Sequence, residues 1–454
     1  MKRIFVLVLA GALFAPMLLG PSFAAVRETL SPTDMGEIEA SYQHLTQDFY
    51  RKVDDQAVLD GARAGILSVM TASGVKAPSL PKMHADSSDR VNLSAIDVAV
   101  ETAQREAGGK VDERELSYGA ISGMMNSVKD RYTVFLKPSD YSGLNQDLDG
   151  ADFGGTGIVI QSDDPSKYIS VSNVVPGGPA DKAGIQQDDL IVAIDGLSTK
   201  GMTIDKASSH LRGKQGTNVT LTISRAGTTL APIVITRAKI HQLSVFSKML
   251  PGKIGYVALT VFGRDTGDEL AAALARLQQE GMRAVIMDLR DNGGGYLEAA
   301  VAVSSEFIAT GPIVSVESRA SNITTREADD TAIAPVPLVV LVNGHTASAS
   351  EITSGAIQDS AVGTIMGTRT FGKGVVQTVF PLGDGSAVKI TTARYLTPHN
   401  RDINHLGIAP DVVVVENKAP RFGEPAKDVQ LQRALQFVND KLAHSEASAQ
   451  PAGN

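Results

Sequence analysis

Three short stretches of the chain carry residues that could do chemistry. The first is Val342-Asn343-Gly344-His345-Thr346-Ala347-Ser348-Ala349-Ser350-Glu351-Ile352. An apolar, strand-like run ends there, small residues turn the chain, and a helix pattern begins. A serine at such a junction lies among the free N–H groups of a helix start, which suits a nucleophile with an oxyanion site beside it. The same pattern also describes an ordinary N-cap serine. The second stretch holds Lys373 between Gly372 and Gly374, just ahead of a β-branched run. Glycines let backbone approach closely and give the lysine little cover of their own. A lysine acting as a base must lose its proton near neutral pH, which from ~10.4 requires a lowering of roughly three units, or ~4 kcal/mol, and burial can supply it. No Walker spacing leads into a helix here, so a phosphate-binding lysine is not indicated. The third stretch, Asp288-Leu289-Arg290-Asp291-Asn292-Gly293-Gly294-Gly295, runs from a strand pattern into three glycines and then a helix. Such a turn can aim amide N–H groups into a cleft, or serve only as a helix entry.

The elements that must position these stretches read as α/β. Strand patterns at Ile254–Leu259, Ala284–Leu289, Leu338–Val342, 362–366, 375–380, 386–395 and Val412–Val415 alternate with helix patterns at Asp265–Gln279, Leu297–Ile308 and Ala349–Gln358. The strands are continuous apolar runs, as in a sheet covered on both faces. A last helix is expected over Asp428–Leu442. The segment 150–237 has a different texture, with Gly-rich turns between β-branched runs and two short helices, Ala180–Ala183 and Thr203–Leu211. Residues 30–75 read as helical. Gly61 and Gly65 recur in a similar setting as Gly119 and Gly123, a spacing of small residues that predicts close helix packing. Residues 74–94, rich in Pro, Ser and Asp, read as a loop. The divisions expected are 1–24, 25–149, 150–237, 238–420 and 421–454.

At the N-terminus Lys2 and Arg3 precede an uncharged apolar run from Ile4 to Leu19, and Ser22-Phe23-Ala24 follows. This is the pattern of a secretory signal peptide cleaved after Ala24. An uncleaved anchor is the rival reading, disfavoured by the length of the run and by Pro16. The chain has 454 residues, a formal net charge of −8 and no cysteine. The length calls for two or three domains. The acidic balance argues against nucleic acid. The lack of cysteine excludes disulfides, a thiol nucleophile and thiolate metal sites. Export and this size point to the periplasm.

Taken in order along the chain, the three stretches resemble the C-terminal-processing (tail-specific) serine protease family. That family carries a serine in a Ser-Ala-Ser-Glu setting, a lysine in Phe-Gly-Lys-Gly, and a glutamine four residues later. The resemblance implies Ser348 rather than Ser350 as nucleophile, Lys373 as base and Gln377 as its orienting partner. It implies the amides of Gly294 and Ala349 as oxyanion donors, with Gly293 standing where the family has proline. The segment 150–237 resembles the family's PDZ domain. Phe153-Gly154-Gly155-Thr156-Gly157-Ile158 would be the carboxylate-binding loop, with Thr156, Gly157 and Ile158 cradling a substrate's C-terminus. The implied fold is multidomain α/β: a helical N-terminal region, a PDZ-like β domain and an α/β serine protease domain. The implied activity is cleavage of exported proteins with exposed C-termini, without cofactor. A homo-oligomer formed through the N-terminal helices and an adaptor protein are also compatible with it. The segment Asp130-Arg131-Tyr132 departs from the family, which reads Asp-Pro-His there.

Other signals carry less. His345 lies three residues before Ser348, too near to reach the hydroxyl easily, and no Gly-x-Ser-x-Gly elbow surrounds that serine. Two Ser-x-x-Lys pairs, Ser79/Lys82 and Ser386/Lys389, read as chance. The second lies in a strand pattern that sends the two side chains to opposite faces. There is no His-Glu-x-x-His and no histidine cluster, so no metal is expected. The alternatives are a catalytically inactive PDZ scaffold, against which an intact Ser348/Lys373/Gln377 set argues, and an acyl-transferring or acyl-CoA enzyme, against which the signal peptide and PDZ unit argue.

Overall fold

The computed structural model describes residues 32–449 apart from 77, 150–152, 162–166, 176, 241–242, 320–321 and 416–424. The segment 1–24, expected from the sequence to be a signal peptide, lies outside the described residues. Four helices, Pro32–Asp48, Asp55–Ala72, Asp89–Ala107 and Glu113–Ser127, form the N-terminal layer. Their apolar faces share one core with Leu382, Val388 and Ile390, which binds the layer to the protein's other half. The repeated glycines face each other across the second and fourth helices. A Cβ on Gly61 would come within 2.4 Å of Gly123 O, and one on Gly65 within 1.9 Å of Gly119 O, so only glycine allows this approach.

The segment that follows is a small β unit. Strands Ile158–Gln161, Ile169–Val174, Leu190–Ile194, Asn218–Arg225 and Thr228–Thr229 form an antiparallel path, with Ile158–Gln161 at its edge. Helices Pro179–Lys182 and Ile204–Leu211 close it. Its own core includes Ile169, Ile191, Leu211, Leu221 and Ile223.

Among the described residues, two larger sheets organise the rest. In the first, the strands run in the order Val245–Leu250, Ile254–Leu259, Ala284–Asp288, Leu338–Val342, Thr364–Gly367, Val412–Val413. Every neighbouring pair is parallel except the first. Alternate residues serve two cores. Val257, Val285, Met287, Val340 and Val342 pack toward the helices Thr266–Gln279, Leu297–Ser305 and Ala349–Asp359. Tyr256, Ile286, Val339 and Leu341 pack toward the helix Val429–Ala449. This double burial is why the strands read as unbroken apolar runs.

The strands Val375–Pro381 and Ala387–Leu396 do not extend that parallel sheet. They pair with each other and with Val134–Leu136, Pro312–Ser318 and Ile323–Glu327 in a second, antiparallel sheet. The connection between them is a tight Gly383-Asp384-Gly385 turn, and a turn so short can join only antiparallel strands. In the parallel sheet, Ala284–Asp288 and Leu338–Val342 are direct neighbours. The loops at their C-terminal ends therefore emerge side by side, where open α/β sheets hold their sites.

Candidate active site

Those two loops are the three-glycine turn and the serine turn, and they interlock. Ser348 is the N-cap of the helix Ala349–Asp359, with φ 56° and ψ −118°. A non-glycine residue in that region is strained and is held there by its surroundings. Asn292 supplies much of the hold. Its carbonyl accepts from Ala347 N at 3.0 Å and from Ser350 Oγ at 3.0 Å, and its side-chain Nδ2 donates to Leu259 O at 2.8 Å. Ser350 is buried and committed to this bond, whereas Ser348 is half-buried and lines a cavity. Gly294 packs directly on the turn: a Cβ there would lie 2.8 Å from both Ala349 N and Ser348 Cβ.

The two expected oxyanion donors fare differently. The Ala349 N–H faces Gly294 and has no acceptor among the described residues. The Gly294 N–H is already given to Asn292 Oδ1 at 2.9 Å. With Gly293 in place of proline, the Asn292 side chain braces the turn by closing onto the next amide but one.

Ser348 and Lys373 are joined through their backbones at both ends. The buried carboxylate of Glu351 accepts from Ser348 N (2.9 Å) and Lys373 N (2.9 Å) on Oε2, and from Gly372 N (2.7 Å) and Thr370 Oγ1 (2.6 Å) on Oε1. The hydroxyl of buried Tyr395 donates toward Ser348 O at 3.2 Å and toward Lys373 O. A carboxylate holding four donors and a phenol shared by two carbonyls fix the two turns against one another. Close backbone passage explains one flanking glycine: a Cβ on Gly374 would meet Asn404 N at 2.6 Å.

Both side chains open on one cavity of about 300 Å³, lined also by Leu297, Ile352, Gln377 and Lys389. Burial lowers the Lys373 pKa to about 8, helped by the charges of Lys389 and Arg131 and opposed by those of Glu351 and Asp130. Its ammonium stands 4.9 Å from the centre of the Tyr132 ring. The expected contact with Gln377 is not the one present: Gln377 Nε2 donates to Val375 O at 3.3 Å and to Thr391 Oγ1 at 3.4 Å. Gln377 thus shares the cavity with Lys373 while turned to other partners. His345 is engaged elsewhere, its Nδ1 2.9 Å from Asp291 Oδ1.

Thr156, Gly157 and Ile158 come together in a second pocket of about 270 Å³, between the edge strand Ile158–Gln161 and the helix Ile204–Leu211. Ile204, Leu211 and Arg212 line one wall. Leu243, Phe246 and Thr260 close it from the α/β domain. None of its lining residues is shared with the Ser348 cavity.

Comparison with known proteins agrees with this architecture. Residues 253–414 match Peptidase family S41, and residues 170–225 match a PDZ domain. The carboxyl-terminal-processing protease of Synechocystis sp. is 36% identical over 344 residues, covering 74% of this chain and 80% of that protein. The chain belongs to peptidase family S41. The carboxyl-terminal-processing protease of Picosynechococcus sp. is 36% identical over 341 residues, covering 74% of this chain and 82% of its own. The structure of a photosystem II D1 C-terminal processing protease aligns with a TM-score of 0.48 at 29% identity, over 88% of this chain and all of that one. This S41 peptidase is a serine-type peptidase with a helical N-terminal region and a PDZ domain, and its substrates are peptides or proteins.

Within this S41 peptidase, Ser348, Lys373, Gln377, Gly294 and Ala349 are gathered around one cavity. Sequence reasoning missed Asn292, Glu351, Tyr395 and Tyr132, and it set Lys389 aside. Glu351 had a legible signal, the Ser-x-x-Glu spacing of a capping box. Tyr395 and Tyr132 are far from Ser348 in sequence and had none.

Proposed function

We propose that this S41 peptidase is a serine endopeptidase with a Ser348/Lys373 pair that processes exported proteins from their C-terminal ends. The supporting observation is the double clamp: Glu351 and Tyr395 hold the backbones of Ser348 and Lys373 together beside one cavity, and burial there brings the lysine within reach of neutrality. Neutral Lys373 Nζ takes the Ser348 hydroxyl proton as Oγ bonds the scissile carbonyl carbon. The Ala349 N–H receives the oxyanion, and the Gly294 amide joins it on leaving Asn292 Oδ1. One such donor is worth ~10²–10³ in rate. The C–N bond then breaks, and the Lys373 ammonium returns the proton to the departing amine. Water, deprotonated in turn by Lys373, releases the acyl group. Gln377 orients the lysine once its ammonium leaves the Tyr132 ring. Thr156, Gly157 and Ile158 hold the substrate's terminal carboxylate, and its last residues add to the edge strand. The charged and apolar N-terminal segment of residues 2–24 directs the chain to the periplasm.

The test is cleavage of a peptide with an apolar C-terminus. Ser348→Ala and Lys373→Ala are expected to abolish turnover, and amidation of the substrate's terminus to raise KM. Full activity in either variant would sink the mechanism, while an unchanged KM for the amide would sink the PDZ role alone.

A further inference from the structure

Lys389 is the cation in the cavity that the mechanism does not use. It projects from the strand Ala387–Leu396 and lines the same space as Ser348 and Lys373. Its register neighbour Val379 lines that space too, as does Gln377 two residues earlier on the neighbouring strand. This face of the hairpin therefore forms a wall of the cavity. The strands on either side, Val134–Leu136 and Val375–Pro381, contain no ionisable residue. Among the described residues no carboxylate pairs with the Lys389 ammonium. An isolated cation in a half-closed, largely apolar space is costly, and its field is poorly screened.

The groups that face Lys373 come from three elements. Asp130, Arg131 and Tyr132 lie before the strand Val134–Leu136, Glu351 lies on the helix Ala349–Asp359, and Lys389 lies on its own strand. The Glu351 carboxylate is occupied by backbone amides and a hydroxyl, and the Tyr132 ring favours the ammonium. Besides burial, the two cations Lys389 and Arg131 favour the neutral amine, and Lys389 is the one that shares the reaction cavity.

Resting on the Ser348/Lys373 reading, we infer that Lys389 is a positioning residue for the reaction: its unpaired charge across the cavity keeps Lys373 in the neutral form that accepts the serine proton. Substrate entry strengthens this effect, because an apolar side chain expels water from between the two cations. Burial lowers the Lys389 pKa as well, so the two amines oppose each other's charge across one cavity and titrate as a pair.

The experiment is the pH profile of kcat/KM on the full chain, for the wild type, Lys389→Met and Lys389→Arg, with Lys373→Ala alongside. Removing the neighbouring cation raises the Lys373 pKa, so the acid limb of Lys389→Met moves to higher pH. Activity at pH 7 is expected to fall roughly three- to tenfold and to recover at alkaline pH, since each unit of displacement is tenfold below the limb. Lys389→Arg keeps the cation and is expected to keep the wild-type limb. A Lys389→Met limb that coincides with the wild type overturns the inference, and so does a loss that is equal at every pH and is not rescued by arginine. Activity retained in Lys373→Ala would instead refute the base itself, whatever Lys389 does.

Discussion

At the scale of single residues, the proposed mechanism makes the protonation of Lys373 decide whether Ser348 can react. Burial and Lys389 push it toward the amine, and the face of Tyr132 pulls it toward the ammonium. A cation over an aromatic face gains ~0.5–1 kcal/mol where water still reaches it, which is roughly half a pH unit. The sign is fixed: losing the ring destabilises the charged form and lowers the pKa. For Tyr132→Leu the acid limb of kcat/KM, expected near pH 8 in the wild type, moves to lower pH by about that amount, opposite in direction to Lys389→Met. A pH profile of the single variant checks it. The sequence indicated that Lys373, to act as a base, had to be buried by other parts of the chain, because its glycine neighbours give it little cover. It gave no hint of what would bury it. Tyr132 belongs to the helical N-terminal region, more than two hundred residues away, in the segment that departs from the family.

At the scale of elements, the site depends on three turns that meet at the ends of neighbouring strands. Parallel pairing of Ala284–Asp288 with Leu338–Val342 brings the glycine turn against the serine turn. Glu351 then joins the serine turn to the lysine turn through four hydrogen bonds. Glu351→Gln keeps the shape but turns one acceptor oxygen into a donor facing backbone N–H groups. The expected result is a fall in kcat on the order of 10²-fold from misplacement, with KM little changed. Steady-state kinetics with circular dichroism to confirm folding would check this, and a kcat within twofold of wild type would remove Glu351 from the account. At this scale most of the α/β half was legible, because buried parallel strands leave unbroken apolar runs and amphipathic helices leave a helical period. The strands 375–380 and 386–395 were legible as strands but their sheet was not, since a strand's pattern does not name its partner. Pro312–Ser318 and Ile323–Glu327 were missed, the second being mostly exposed and polar.

At the scale of the whole molecule, the site is shared among units that are distant in sequence. The N-terminal region up to residue 149 contributes Tyr132 and Leu144, the parallel sheet contributes Ser348 and the glycine turn, and the antiparallel sheet contributes Gln377 and Lys389. Leu382, Val388 and Ile390 carry the helical core into the same antiparallel sheet, so the layer that covers the lysine is part of the fold rather than an appendage. The α/β domain also closes one end of the PDZ groove through Leu243, Phe246 and Thr260, so a chain end bound as proposed would touch both units. The sequence showed that such units exist, through their textures and motifs. It could not show that the N-terminal region reaches the Ser348 cavity, because that contact is purely tertiary. The most direct test of the central claim is labelling with a serine-reactive fluorophosphonate, followed by mass spectrometry of the peptides. The account predicts a single adduct on Ser348 that forms faster as pH rises through about 8 and is lost in Lys373→Ala. An adduct on another serine, or undiminished labelling of Ser348 without Lys373, would contradict it.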